Sequence, residues 1–199
     1  MNISHPSKDS SKKVELDGQV ILITGGRGVG KTTLCKAVIQ MLRRSGQAVN
    51  GILSKAVFTN GVKTAISAVN LRTLETRQLA EHRSENANCR QGTDTGCWIF
   101  DETVLAWGND ILGAATPCEV LVVDELGPLE WLHGRGWTNG LAAIDSADYQ
   151  VALVTIRPEL LSQAIARWSP LSVIEVKQIN SLPVDSVYQM VIARAKPTG

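Results

Sequence analysis

The sequence predicts an α/β fold whose central sheet is mostly parallel and carries an antiparallel hairpin insertion. Apolar runs without polar alternation recur along the chain, and such runs are typical of strands covered on both faces. Segments with apolar residues at helical spacing separate these runs, an order that favours parallel strands joined by helices. A strong turn signal, Asn60-Gly61, interrupts this order and predicts the hairpin.

A strand and a helix are predicted in direct succession near the start of the chain. Residues 20–24, VILIT, form a β-branched run that indicates a buried strand. After a glycine-rich turn, Ser45-Gly46 supplies a helix stop signal. The helix before it presents apolar residues at helical spacing, namely Leu34, Val38, Met41 and Leu42.

The middle of the chain predicts the hairpin and then a loop. Short strand-like runs occupy residues 48–61, where we expect Gly51 to break the strand and Asn60-Gly61 to end it. Residues 62–73 provide the returning strand or strands. The polar stretch at residues 81–95 predicts an exposed loop.

The second half of the chain returns to alternating strands and helices. Asp101 is a good N-cap for a helix that runs to about Ala114, and Phe100 can pack on Leu105 as a hydrophobic staple. Strands are predicted at residues 119–125, 149–156 and 171–176, and helices at residues 138–146, 159–166 and 184–195.

Composition indicates an ordinary globular protein. The chain has 199 residues, of which 44% are hydrophobic and 20% are charged, enough for one sizeable core. The formal net charge of +1 argues against a broad basic face for nucleic acid, so we do not expect nucleic acid as a partner. Residues 1–16, rich in Ser and Lys, predict a disordered tail, and residues 17–199 a single domain.

The cysteines and the hydropathy of the chain predict a cytoplasmic, reduced protein. Cys35, Cys89, Cys97 and Cys118 form no C-x-x-C pair, so we expect free thiols, although Cys89 and Cys97 could meet across a turn. No apolar run approaches the ~20 residues of a membrane span, and the polar start of the chain lacks an apolar signal core. We therefore expect no membrane partner.

The glycine-rich turn fits G-x-x-x-x-G-K-[ST] at every fixed position. Its place between a predicted strand and a predicted helix makes the pattern specific for phosphate binding. Glycines permit positive φ, so backbone N–H groups can turn toward one anion, and the helix N-terminus adds its dipole. The residues predicted to bind a nucleotide are Gly25, Gly26, Arg27, Gly28, Val29, Gly30, Lys31, Thr32 and Thr33.

Two side chains of this segment have predicted chemical roles. Lys31 can reach the β- and γ-phosphates and is a catalytic candidate, and Thr32 offers a hydroxyl ligand to Mg²⁺. The expected cofactor is Mg²⁺, and the expected substrate is ATP or another nucleoside triphosphate. The alternative, a structural turn with an exposed lysine, gives no purpose to a lysine and a hydroxyl at this spacing. Arg27 could either cross the phosphates or face solvent.

Two carboxylates stand at the end of the apolar run VLVV. Because strand ends of an α/β sheet open onto the ligand crevice, Asp124 is predicted to hold Mg²⁺ through a water, as a Walker B aspartate does. Glu125 is the candidate to orient or deprotonate the attacking water. Successive strand residues point oppositely, so both serve one site only if the strand ends or twists there, and Gly127-Pro128 favours that.

Together the segments GGRGVGKTTL and VVDELGPLEW resemble the small P-loop nucleoside-triphosphatases, the family of the animal cancer-related enzyme and its thermophile relatives. That family has D-E-[IL]-G-x-[ML]-E after the Walker B strand, and residues 124–130 here read DELGPLE. The resemblance implies a P-loop NTPase three-layer sandwich and slow hydrolysis of nucleoside 5′-triphosphates with loose base selectivity. The chain departs from the family at Arg27, where proline is frequent, and in residues 58–96.

Further charged and aromatic residues leave alternatives open. Arg157 follows another strand end and is the third catalytic candidate, as a cation that stabilises the γ-phosphate; it could equally pair with an acidic neighbour at the sheet rim. Trp131 and Trp137 flank a glycine-bearing segment that predicts either a lid stacking a base or, the favoured interpretation, a loop anchored to the core.

Two other functions would use the same phosphate cradle, the glycine-rich segment at residues 25–32. A P-loop kinase for a small acceptor would need an arginine-bearing lid, for which the chain offers Arg72, Arg77, Arg83 and Arg90. A nucleotide-binding adaptor would change shape for a protein partner, whose identity the sequence does not specify. The segment LRRSGQAVNGILSKAV, residues 42–57, resembles the start of the molybdopterin-guanine dinucleotide biosynthesis P-loop adaptors. No guanine-reading N-K-x-D motif occurs, so a GTP-specific switch is disfavoured.

Overall fold

The computed structural model describes residues 18–83 and 98–195. The predicted tail at residues 1–16, most of the predicted loop at residues 81–95, and Cys89 and Cys97 lie outside the described residues. Cys35 and Cys118 are free thiols, as predicted. In the described residues, no helix is both long and apolar enough to cross a bilayer.

Strands and helices alternate through most of the chain. The strands are β1 (Gln19–Thr24), β2 (Val49–Thr59), β3 (Val62–Asn70), β4 (Thr76–His82), β5 (Trp98–Phe100), β6 (Cys118–Leu126), β7 (Tyr149–Ile156) and β8 (Ser172–Glu175). The helices are α1 (Lys31–Arg44), α2 (Glu102–Gly113), α3 (Pro128–His133), α4 (Thr138–Asp145), α5 (Leu161–Trp168) and α6 (Val184–Ile192).

In the described residues the strands form one eight-stranded sheet in the order β5-β4-β3-β2-β6-β7-β1-β8. The pairs β2–β6, β6–β7, β7–β1 and β1–β8 are parallel, whereas β2–β3, β3–β4 and β4–β5 are antiparallel. The mostly parallel α/β sheet is therefore confirmed. The antiparallel part is larger than the predicted hairpin, because β4 and β5 continue it.

The sheet is covered on both faces, which gives three layers. On one face α1 and α6 pack over alternate residues of the parallel strands, including Ile21, Ile23 and Val122. On the other face α2, α4 and α5 pack over residues that include Leu22 and Val123. Two-sided burial explains why these strands read as continuous apolar runs.

The local end signals of two helices behave as the sequence predicts. The Asp101 carboxylate accepts hydrogen bonds from the backbone N–H groups of Thr103 at 2.8 Å and Val104 at 3.3 Å, so it caps α2. α1 ends at Arg44, where Ser45 is the C-cap residue and Gly46 takes a φ of 84°.

Three sequence expectations about elements were wrong. Gly51 does not break the second strand, because β2 continues through it for 11 residues. Glu81 and His82 belong to β4 rather than to a loop. Residues 128–133 form the short helix α3, which was not predicted.

Candidate nucleotide site

The glycine-rich loop connects the carboxyl end of β1 to the first turn of α1. Gly25, Gly28 and Gly30 have φ values of 144°, 71° and 108°, which side-chain-bearing residues rarely adopt. A Cβ at Gly25 would lie 2.2 Å from the Val176 carbonyl oxygen, so the loop also needs glycine for close packing. The loop therefore turns tightly at the N-terminus of α1, where helix N–H groups are available to an anion.

Lys31 folds back across this loop. Its side chain is only 6% exposed, and its Nζ donates to the carbonyl oxygens of Gly25 at 2.9 Å and Gly26 at 3.0 Å. The same Nζ lies 3.3 Å from Oε2 of Glu125. One ammonium thus joins the loop to the end of β6.

Asp124 is fully buried and is surrounded by hydroxyl and amide donors. Thr155 Oγ1 donates to its Oδ1 at 2.6 Å and Thr32 Oγ1 at 3.2 Å, while the Ser54 backbone N–H donates to its Oδ2 at 3.1 Å. Burial raises the pKa of Asp124 to about 6, with a smaller contribution from the charge of Glu125, and the hydrogen bonds oppose the shift. Removing this carboxylate from water is therefore costly, and a nearby cation would offset the cost.

Glu125 lies between two cations. Its Oε1 accepts a hydrogen bond from Arg157 Nε at 2.9 Å, and its Oε2 faces Lys31 Nζ at 3.3 Å. The register between β6 and β7 shifts between Val123 and Leu126, so strict alternation is interrupted there. Consequently Asp124 contacts Thr32 and Glu125 contacts Lys31, and both of these partners lie in the first turn of α1.

Most of the other residues predicted to bind a nucleotide lie toward solvent, whereas Val29 and Gly30 are half-buried. Arg27, Gly28 and Thr33 are exposed, and Gly26 is exposed beside them. Val29 packs against the core on the α1 side. For Arg157, the structure shows the pairing with an acidic neighbour that the sequence left as one of two alternatives.

Three residues of this site had no role predicted from the sequence, although one of them, Glu130, ends the segment DELGPLE. Ser54 and Thr155 end up beside Asp124 because β2 and β7 flank β6. Glu130 is buried, and its carboxylate accepts hydrogen bonds from the backbone N–H groups of Gly127 at 2.8 Å and Trp137 at 2.9 Å. Burial raises the pKa of Glu130. The available signals were a threonine near the end of an apolar strand and the glutamate that completes the pattern D-E-[IL]-G-x-[ML]-E.

Trp131 and Trp137, which flank the glycine-bearing segment after the carboxylates, both pack against other side chains. Trp137 is 3% exposed, lies in the core and places its Nε1 3.4 Å from Ser54 Oγ. Trp131 packs edge-on against Trp168, with ring centroids 5.5 Å apart. This arrangement agrees with the favoured interpretation and leaves neither ring in an open lid.

The donor set around Asp124 suits a hard, mostly hydrated cation. In the described residues no cluster of three or more His, Cys, Asp or Glu side chains could hold a metal on its own. A buried carboxylate beside the Thr32 hydroxyl is what Mg²⁺ uses when water and phosphate oxygens supply its other ligands. The residues present therefore fit Mg²⁺ bound together with a phosphate.

A parallel α/β sheet with a glycine-rich loop between its first strand and helix, and carboxylates on a nearby strand, defines the P-loop class of nucleotide-binding proteins. Within that class the chain belongs to the NTPase family, whose sequence model matches residues 20–189.

Similar proteins share this family and fold. The chain is 32% identical over 115 residues to the nucleoside-triphosphatase THEP1 of Caldivirga maquilingensis, covering 58% of this chain and 62% of that protein. It is 31% identical over 113 residues to THEP1 of Thermococcus kodakarensis, covering 56% and 62% respectively. The matched part is thus about three fifths of the length of these relatives.

Solved structures show the same fold. A human cancer-related nucleoside triphosphatase superposes with a TM-score of 0.63 at 22% identity, covering 91% of this chain and 99% of that one. THEP1 from Aquifex aeolicus gives a TM-score of 0.58 at 18% identity, covering 89% and 99%.

Proposed function

We propose that the protein hydrolyses nucleoside 5′-triphosphates to diphosphate and phosphate, with Mg²⁺ and with loose base selectivity. One observation carries this proposal: the two sequence motifs meet in one site. Lys31 Nζ lies 3.3 Å from Glu125 Oε2, and Thr32 Oγ1 lies 3.2 Å from Asp124 Oδ1, although 92 residues separate the latter pair. Family membership and the nucleoside-triphosphatase names of the relatives support it.

The loop and Lys31 would bind the phosphates. Lys31 donates to two loop carbonyls, and a charged phosphate oxygen is a stronger acceptor than either carbonyl. The N–H groups at the start of α1 add donors that need no side chain. Because none of these contacts reads a base, they support loose selectivity.

Thr32 and Asp124 would hold Mg²⁺, the latter through a water. Mg²⁺ would neutralise charge that develops on the phosphate oxygens. The buried position of Asp124 excludes bulk water from its carboxylate, which strengthens its attraction for a cation.

Glu125 would act on the attacking water. Its carboxylate can accept the proton as the water oxygen bonds to the γ-phosphorus and the β–γ bridging oxygen leaves with the diphosphate. Arg157 holds Oε1 of Glu125, so Arg157 is a positioning residue in this proposal rather than a finger on the phosphate.

The kinase alternative is less well supported by the described arginines. Arg72 donates to Asn50 Oδ1 at 3.3 Å and to the Ala114 carbonyl at 3.2 Å, at the amino end of β6 and therefore at the opposite edge of the sheet. Arg77 stacks on the Trp107 ring at 4.5 Å. Neither of these two arginines is placed as a lid over the cradle. Arg83 is exposed just after β4, and Arg90 lies outside the described residues.

The proposal is tested by phosphate release from ATP, GTP, CTP and UTP, with and without Mg²⁺. We expect release from all four without an added acceptor. Glu125→Gln should lower kcat by about two orders of magnitude or more while triphosphate binding persists, because the general base is removed and the cradle is not. Lys31→Ala should weaken binding as well.

Two results would contradict the proposal. Release by Glu125→Gln at the wild-type rate would remove Glu125 from the reaction. Phosphate transfer that requires an added nucleoside acceptor would favour the kinase.

A further inference from the structure

Glu130 is a buried carboxylate, 7% exposed, that forms no ion pair with any residue in the described ranges 18–83 and 98–195. Burial is the main cause that raises the pKa of Glu130, and backbone hydrogen bonds oppose that rise. A buried charge without an opposite charge is costly unless hydrogen bonds satisfy it. The hydrogen bonds of Glu130 therefore have to offset this cost.

Two backbone N–H groups from different segments donate to this carboxylate. The Gly127 N–H donates to Oε2 at 2.8 Å, which is the usual contact of a glutamate in the first turn with the N-cap residue of its own helix, here α3. The Trp137 N–H donates to Oε1 at 2.9 Å, although α3 ends at His133. A helix cap requires only the first contact. The second contact ties Gly127 to the segment that begins α4.

Trp137 is the fixed end of this tie. Its side chain is 3% exposed and belongs to the core on the α2 and α4 face of the sheet. The ring lies directly on the backbone of α2, because a Cβ at Gly108 would be 2.3 Å from Trp137 Cζ3. A close-packed core side chain of this kind has little freedom to move. Glu130 therefore ties Gly127 to a rigid part of the molecule.

Gly127 is the end of the tie that lies beside the candidate general base. It follows Glu125 by two residues, and a Cβ at Gly127 would be 3.2 Å from Arg157 Nε. The same Nε donates to Glu125 Oε1 at 2.9 Å. A shift of Gly127 would therefore displace both the chain next to Glu125 and the guanidinium that holds the Glu125 carboxylate.

We propose that Glu130 is a positioning residue of the hydrolysis: it ties Gly127 to Trp137 and so holds Glu125 in place for the attacking water. The inference rests on the proposed function, in which Glu125 accepts the proton of that water. Because Glu130 is buried, it acts through Glu125 and not on the nucleotide. Two N–H donors need two acceptor oxygens, whereas a glutamine offers one oxygen and an NH₂ group that would face the other donor.

The isosteric variant Glu130→Gln tests this role in steady-state phosphate release from ATP by the full chain in Mg²⁺. We expect kcat to fall by about tenfold to a hundredfold, the loss for a catalytic group misplaced by about 1 Å. KM should change by less than about twofold, because the glycine-rich loop and Lys31 are untouched. Calorimetric titration with a β,γ-imido triphosphate gives the fraction of binding-competent sites, so that unfolded protein is not mistaken for a lower kcat.

A double variant separates positioning of Glu125 from a general structural role. In a Glu125→Gln background, Glu130→Gln should lower the residual rate by less than about threefold, because the group that it positions is already absent. A Glu130 that supported the site as a whole would lower this residual rate as strongly as it lowers the wild-type rate, since the residual rate still depends on the glycine-rich loop and Mg²⁺.

Glu102→Gln is the matched control. Glu102 is an exposed glutamate of α2 whose carboxylate pairs with Arg135 at the surface, so we expect its substitution to leave kcat and KM unchanged. Gly127→Ala perturbs the proposed path from its other end without touching Glu130. Its φ of −136° suits alanine, and the new Cβ would press on Arg157 Nε, so kcat should fall here too. Thermal unfolding checks that each variant is folded.

The outcomes distinguish this inference from the proposed function. A wild-type chain that releases no phosphate from ATP would refute the proposed function and this inference with it. An active wild-type chain would refute the role of Glu130 alone in any of three cases: Glu130→Gln keeps the wild-type kcat, folded Gly127→Ala keeps it, or the losses from Glu130→Gln and Glu125→Gln multiply in the double variant.

Discussion

Glu125 is the residue on which most of the proposed chemistry depends, and two elements hold it. Lys31 approaches from α1 at 3.3 Å, and Arg157 donates from the end of β7 at 2.9 Å. A carboxylate with a cation on each oxygen has little freedom to rotate. When a triphosphate draws Lys31 toward its own oxygens, Arg157 would be left as the contact that keeps Glu125 oriented.

We therefore expect Arg157→Gln to lower kcat by about tenfold to a hundredfold with little change in KM, because a base displaced by about 1 Å loses that much. Steady-state phosphate release measures both constants. In a Glu125→Gln background, Arg157→Gln should lower kcat little further, because Arg157 acts through Glu125. Independent, multiplying losses in the double variant would instead indicate that Arg157 contacts the phosphate directly.

The sequence identified the motif residues of this site but not their supports. Lys31 and Asp124 fall in local patterns whose chemistry dictates residue type and spacing. Ser54 and Thr155 support Asp124 only because β2 and β7 become neighbours of β6, which no local pattern encodes. Glu130 likewise accepts hydrogen bonds from the backbone N–H groups of Gly127 and Trp137, which only the folded chain brings together. A charged residue is usually exposed, so its burial was not expected from the sequence.

At the scale of elements, prediction succeeded for the buried parallel strands β1 and β7 and failed for β4 and at Gly51 of β2. β1 and β7 are buried and mostly apolar, whereas β4 buries only Leu79 and Ala80, and its other residues are polar enough to resemble a loop. β2 was expected to break at Gly51. It continues because Gly51 lets its backbone approach β6 where a side chain could not fit.

This explanation predicts a large cost for Gly51→Ala. The new Cβ would lie 2.0 Å from the Val122 carbonyl oxygen, and the residue would keep a φ of 109°. We expect the free energy of unfolding, measured by urea denaturation, to fall by about 2–4 kcal/mol from the clash and the backbone strain together.

Gly61→Ala supplies the control for that measurement. Gly61 lies at the tip of the hairpin with a φ of 79° and open space around its Cβ position. Its substitution should cost about 1–2 kcal/mol, the backbone contribution alone. Equal costs at the two positions would mean that contact with β6 does not determine the need for glycine at residue 51.

For the whole molecule, the site joins segments that are far apart in the chain. The loop after β1, the end of β6 and the end of β7 meet at one edge of the sheet, where Lys31, Glu125 and Arg157 are in contact. In an unfolded chain these groups are dispersed. A ligand that bridges them therefore binds the folded state alone and shifts the folding equilibrium by mass action.

A non-hydrolysable triphosphate with Mg²⁺ should consequently stabilise the whole chain. At about 100 times its Kd the gain is about 2.7 kcal/mol, and for a chain of this size we expect the unfolding midpoint to rise by roughly 5–10 °C. The shift should shrink when Mg²⁺ is chelated, because the cation would no longer bridge Asp124 to the phosphates. Scanning calorimetry of wild type and Lys31→Ala, each compared with its own ligand-free midpoint, measures it. An equal ligand-induced rise in Lys31→Ala would show that the triphosphate binds somewhere other than the glycine-rich loop, since Lys31 lies across that loop and reaches Glu125.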